Sequence, residues 1–184
     1  MREKELWREL NEYLGNTNEE KKMRKYAEYL MESIKNAKSN NKMIAIFGNG
    51  GSAADAQHWA GELVCTYKKG NREAYPALAL ATNSSVVTAW SNDKTFEEIF
   101  SRQINAFKNL IGVAIGISTS GRSKNVWEGL REARKNSIKT ILISGNGIGE
   151  KNEIDKHIML PSGNTAVIQT MTQVLYHMSC ELLE

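Results

Sequence analysis

The sequence predicts an α/β protein, a doubly wound parallel sheet wrapped in helices with a helical pair ahead of it. Two observations predict it. Five short apolar runs (Met43 to Phe47, Ala77 to Ala81, Val113 to Ile117, Thr140 to Ser144 and His157 to Leu160) alternate with stretches of helical periodicity. That spacing requires right-handed crossovers, and so parallel strands. Most of these runs also end in polar clusters rich in Gly, Ser or Asn, where ligands bind in such sheets.

Residues 4–15 and 18–38 carry apolar positions at helical spacing in a charged background: Leu6, Trp7, Leu10 and Leu14, then Met23, Tyr26, Leu30 and Ile34. Both read as amphipathic helices. Their stripes must be buried, either over the sheet or against the same stripe in another subunit. The first strand, Met43 to Phe47, stops at Gly48-Asn49-Gly50-Gly51-Ser52. A helix follows, favoured by Ala53, Ala54, Ala56 and Ala60, with Ser52 expected to cap it and Asp55 suited to the positive end of its dipole.

After a polar link, Lys68 to Glu73, the second strand is expected over Ala77 to Ala81, ending at Thr82-Asn83-Ser84-Ser85. Val86 to Trp90 reads as a short helical turn and Glu97 to Phe107 as a helix. The third strand, Val113 to Ile117, runs into Ser118-Thr119-Ser120-Gly121-Arg122-Ser123 and a helix with Val126, Trp127, Leu130 and Ala133 on one face. The fourth strand, Thr140 to Ser144, ends at Gly145-Asn146-Gly147. A shorter fifth, His157 to Leu160, closes at Pro161, and Thr165 to Leu183 is a long last helix.

At 184 residues, with no linker or composition break, the chain reads as a single domain, with helices over 1–38 and an α/β core over 43–184. Its 24 basic and 21 acidic residues are interspersed, so a net charge of +3 describes a solvated surface, not a nucleic-acid-binding one. No apolar run approaches the roughly 18 residues that span a bilayer. The start, Met1 to Leu10, is charged where a signal peptide is apolar, so a cytosolic protein is expected. Cys65 and Cys180 have no metal-type spacing and read as reduced, packed thiols.

The strand, glycine loop and helix at Met43 to Glu62 form a candidate anion pocket, because free amides at a helix N-terminus point outward and glycines admit a phosphate to the backbone. The loop after the third strand adds four hydroxyls, Ser118, Thr119, Ser120 and Ser123. These can saturate phosphate oxygens without the lysine of a nucleotide loop, which suggests a phosphomonoester. A serine-rich loop that merely caps a helix is the plainer reading. Gly48, Gly50 and Ala53 also match a dinucleotide fingerprint, but no carboxylate follows at the end of the second strand to hold a ribose.

His58 and Glu62 stand four apart and share a helix face. In the last helix Gln169, Gln173 and His177 fall near one stripe of an otherwise apolar run, where buried polar groups need partners. Together His58, Glu62, Gln169 and His177 would make a plausible shell for zinc or a similar divalent ion; the alternative is a hydrogen-bond network without metal. His157, at a strand start beside Lys156, reads as structural.

These residues carry a resemblance. GNGGSAADAQHWAGEL (Gly48 to Leu63), SNDKTFEEIFSRQ (Ser91 to Gln103), GISTSGRSKNV (Gly116 to Val126) and TAVIQ followed by His177 resemble the sugar isomerase (SIS) domain, specifically the phosphoheptose isomerases, over nearly the whole chain. The resemblance implies a three-layer, flavodoxin-like five-stranded parallel sheet. It also implies a homotetramer built by the N-terminal helices, with active sites between subunits. It puts one zinc ion per subunit on His58, Glu62, Gln169 and His177, and the acid/base pair on Glu62 and His177. Sugar-phosphate contacts fall on Asn49, Gly50, Gly51, Ser52, Asp93, Ser118, Thr119, Ser120, Ser123 and Gln169. The implied reaction takes a 2-ketose phosphate, sedoheptulose 7-phosphate, to an aldose phosphate through an enediol. Cys65-Thr66, Asn83, Ser91, Ala166 and Val167 depart from the family's usual residues. Thr66 removes a cation from near the sugar phosphate. The competing expectations are a paralogous isomerase for another ketose phosphate and a non-catalytic binding protein of the same family, either a partner of the replication initiator or a sugar-phosphate sensor; the initiator partner lacks the glutamate and histidine that this chain keeps.

Overall fold

Strands of this sheet are apolar on both faces because helices cover both, and each face takes alternate residues. The computed structural model describes residues 2–146 and 153–184. Within them, five strands, β1 (Met43–Gly48), β2 (Ala77–Ala79), β3 (Ile111–Ile117), β4 (Lys139–Ser144) and β5 (Lys156–Met159), form one sheet in the order β2-β1-β3-β4-β5. All neighbours run parallel, with Ile46 opposite Ile115 at the centre. Seven α-helices accompany them among the described residues: α1 (Arg2–Leu14), α2 (Thr17–Ser39), α3 (Gly51–Val64), α4 (Ser84–Asp93), α5 (Ile99–Phe107), α6 (Lys124–Lys135) and α7 (Thr165–Leu183).

Two cores flank the sheet. Ile44, Ile46, Val113, Ile115, Ile141 and Ile143 bury one face against Leu30 and Ile34 of α2, Trp59 and Leu63 of α3, and Leu175 and Tyr176 of α7. The residues between them, Ala45, Phe47, Ala114 and Leu142, face Phe100 and Ile104 of α5 and Val126 and Leu130 of α6. Each such side chain, fully buried, contributes about 1.5–3 kcal/mol. Helix α3 therefore shares its layer with α7, although strands β2 to β5 lie between the two in sequence.

Several boundaries differ from expectation, each for a local reason. β2 ends at Ala79 because Thr82 turns back on it, its Oγ1 donating to the Ala79 carbonyl at 2.8 Å. α4 is a three-turn helix and not a short turn, because the Asn83 side chain accepts from the Val86 amide at 3.2 Å and caps it. β5 begins one residue earlier, pairing Lys156 with Ile141. Gly147, placed in the turn after the fourth strand, lies outside the described residues.

Candidate active site

The strand order reverses between β1 and β3, so the loops that follow them diverge and leave a crevice at their C-terminal ends. Three Asn side chains cap other helices: Asn16 on α2, Asn83 on α4 and Asn164 on α7. The two helices at the crevice have no such cap. The N-cap of α3 is Gly50, at φ 53° and ψ −122°, a conformation open to glycine, and that of α6 is Ser123, whose side chain does not bond its helix. Ser52 is not the cap expected from the sequence; it is buried within the first turn of α3. The positive ends of both dipoles are thus without a cap from their own N-cap side chains.

The hydroxyl loop is held from within. Ser118 is buried, its Oγ donating to Ser123 Oγ at 2.9 Å and accepting from the Ser123 amide at 3.4 Å. Ser120 Oγ accepts from the Arg122 amide, and the Thr119 carbonyl accepts from the Gly145 amide at 3.0 Å. Gly121, at φ 67°, makes the turn. Asn49 is joined to Asn125 by two amide hydrogen bonds of 2.8 Å, one in each direction, which tie the β1 loop to the start of α6. Asn125 escaped the sequence reading. A lone Asn in a first helical turn gives no signal, and only the crossover brings it opposite Asn49.

Helix α3 presents Asp55, His58 and Glu62 on one stripe toward α7. His58 Nε2 lies 3.0 Å from Glu62 Oε1, and His58 Nδ1 lies 2.8 Å from the Tyr176 hydroxyl. Tyr176 is itself fully buried, its ring stacked on Trp59 with centroids 5.6 Å apart. His177 packs edge-on to His58 and flat against Tyr67, at 5.2 and 5.7 Å between centroids. Among the described residues His58, Glu62 and His177 can each offer one ligand atom, with all three atoms within 4.8 Å of one another.

Two imidazoles and a carboxylate suit zinc, whose ligands at about 2.1 Å in a tetrahedral shell stand roughly 3.4 Å apart. Small side-chain rotations bring these three to that spacing, so the residues fit a divalent ion. Gln169 precedes His177 by eight residues, roughly two turns of α7, and its carboxamide lies against Gly51, where any Cβ would collide with it. Asp93 ends α4, exposed, accepting a bond from the Asn92 side chain. His157, as expected, is structural, its Nε2 paired with Ser144 Oγ at 2.8 Å.

The electrostatics follow burial. Burial, and after it the charge of His58, hold the His177 imidazole below its ordinary value, against the pull of Glu62. Burial raises the Asp55 carboxyl, with His58 opposing. The Tyr176 phenol is pushed up by burial first and then by the Asp55 charge. Tyr176 was missed from the sequence because an aromatic within an apolar stripe reads as core, and most of its ring is core; Tyr67, in the link after α3, gave no signal.

Comparison with known proteins agrees with this arrangement. The model of the SIS domain matches residues 7–145. Phosphoheptose isomerase 1 of Campylobacter jejuni is 44% identical over 161 residues, covering 87% of this chain and 84% of that protein. The phosphoheptose isomerase of Aquifex aeolicus is 47% identical over 148 residues, 80% and 76% of the two chains. Among solved structures, a phosphoheptose isomerase from Francisella tularensis superposes with a TM-score of 0.82 at 26% identity, over 96% of this chain and 97% of that one. With a matching sheet, matching motifs and relatives of this similarity, the chain belongs to the SIS domain family and, within it, to the phosphoheptose isomerases, which are aldose–ketose isomerases.

Proposed function

We propose that this chain converts sedoheptulose 7-phosphate to D-glycero-D-manno-heptose 7-phosphate, with Glu62 and His177 moving the proton. The observation that carries the reading is the meeting of Glu62, on α3, with His177, on α7, in one cluster with His58. The isomerisation removes a proton from C1 of the ketose, passes through a cis-enediol and returns a proton at C2. A carboxylate is a suitable base for the first step and an imidazole a suitable acid for the second, each typically worth about 10² to 10⁴ in rate. The desolvation that lowers the His177 pKa keeps its ring neutral near neutral pH, so it first takes the C1 hydroxyl proton and then returns it at C2, while Glu62 passes the proton it took from C1 to O2 and both groups end as they began.

The phosphate is read as lying at the crevice, on the amides of Gly50 and Gly51, on Ser52, and on the hydroxyls of Ser118, Thr119, Ser120 and Ser123. The uncapped starts of α3 and α6 support this, since both favour an anion. Gln169, its carboxamide beside Gly51, is read as a substrate contact and, with His58, Glu62 and His177, as a metal ligand. Asn49 contributes through its backbone, its side chain being engaged with Asn125. A divalent ion, zinc by family, would be held by His58, Glu62 and His177, and the chemistry it supplies when bound is polarisation of the substrate carbonyl. The chain is read as one domain that assembles into a homotetramer through α1 and α2. The exposure of Trp7 (67%) and Leu14 (51%) on α1 supports such a contact, and Asp93 would then serve a site shared between subunits.

A coupled assay across C5 to C7 ketose phosphates tests the reading. Glu62→Gln and His177→Ala should each abolish turnover of sedoheptulose 7-phosphate while leaving the oligomer intact by size exclusion. Near wild-type isomerisation in both variants would refute the assignment.

A further inference from the structure

The ring of His58 has two occupied nitrogens, one facing Glu62 and the other facing a tyrosine that the reaction does not use. A neutral imidazole carries one proton, so one nitrogen donates and the other accepts. Glu62, as a carboxylate, only accepts. For a neutral ring at these two contacts the proton is therefore on Nε2, and Tyr176 donates its hydroxyl proton to Nδ1.

A divalent ion at Nε2 requires that nitrogen's lone pair and moves the ring proton to Nδ1. Tyr176 can follow, because a hydroxyl both donates and accepts. Its own proton then needs a new acceptor. Asp55 offers one. It stands one turn before His58 on the same stripe of α3, and its Oδ2 is buried with no hydrogen-bond partner. Its charge is felt at the Tyr176 phenol, second only to burial. An orphaned buried carboxylate oxygen costs free energy unless some state of the protein uses it.

We propose that Tyr176 and Asp55 are positioning residues for the metal-binding form of His58. Tyr176 reverses from donor to acceptor at Nδ1 when an ion takes Nε2, and its own O–H, still protonated, turns to donate a hydrogen bond to Asp55. The inference rests on the metal part of the proposed function and not on its Glu62/His177 proton transfer.

The test measures Zn²⁺ affinity by competition with a chromophoric chelator, with no substrate present. Tyr176→Phe keeps the ring and its stack on Trp59 but cannot accept from Nδ1–H, and should bind zinc about 10- to 100-fold more weakly. Asp55→Ala should also lose affinity, whereas Asp55→Asn, which keeps an acceptor oxygen, should recover most of it. In ¹⁵N-histidine spectra of the zinc-loaded protein, the His58 Nδ1–H should be protected from exchange in wild type and exposed in Tyr176→Phe. Circular dichroism melting verifies that each variant is folded. Wild-type zinc affinity in Tyr176→Phe would overturn the proposal. So would a wild-type protein that binds no zinc; if that protein still isomerised sugar phosphates, the proton-transfer reading would stand alone.

Discussion

The imidazole of His177 meets that of His58 edge to face, with ring centroids 5.2 Å apart and planes 78° from parallel. One ring is held on α3, directly after the first strand, the other on the last helix. Their contact turns two unremarkable helical residues into a site with the carboxylate of Glu62. The following predictions depend on that contact or on the packing that produces it.

Protein purified without chelator should contain a divalent ion by elemental analysis. Its removal should lower turnover and the thermal midpoint together, since a ligand that binds only the folded state stabilises it. An emptied site with full activity and an unchanged midpoint would remove the metal from the function.

Denaturation should depend on pH through His177. Its folded pKa lies below the ordinary 6.5, with burial the first cause and the His58 charge the second. As pH falls, the unfolded chain takes a proton on this ring before the folded chain does. Stability is thus complete above about 6.5 and declines as pH drops from there toward the lowered folded value. In chelator-treated protein the urea midpoint should fall between pH 7 and pH 5, and His177→Gln should flatten part of that slope. An identical slope in the variant would contradict the shift.

Three glycines of the α3 segment should respond differently to alanine. At Gly61 a Cβ meets nothing within 4 Å, so Gly61→Ala should raise stability by about 0.5–1 kcal/mol through helix propensity. At Gly50, with φ +53°, alanine should cost about 1–3 kcal/mol in backbone strain. At Gly51 the new Cβ would displace the Gln169 carboxamide, and the Michaelis constant should rise more than stability falls. Urea unfolding and steady-state kinetics on the three variants separate these effects.

The cysteines should differ in reactivity. Cys65 is exposed; Cys180 is buried in α7, and burial pushes its thiol up to about 12. Iodoacetamide at pH 8 should modify the native protein at Cys65 and reach Cys180 only in urea, as read by intact mass and peptide mapping. Equal labelling of both in the native state would mean that α7 is not seated as described.

Much of this was legible in the chain itself. The alternation of apolar runs and helical stripes foretold the five parallel strands, because side-chain periodicity reports which face of each element is buried. The glycine loop, the hydroxyl loop, and the pairing of His58 with Glu62 needed only local spacing. The Ser52 cap, the length of α4 and the end of β2 were misread because Gly50, Asn83 and Thr82 settled them through specific backbone conformations and hydrogen bonds that residue preference does not encode.

By itself the sequence determined the class of fold, the residue types at the crevice and the candidate acid, base and ligands. Only the tertiary structure decided which of them meet. It set α3 and α7 side by side, joined Asn49 to Asn125, placed Tyr176 on His58, and put Gln169 beside Gly51. The reason is physical: periodicity is a property of neighbours along the chain, whereas the pairing of helices on a sheet depends on crossover order and on how complementary surfaces pack.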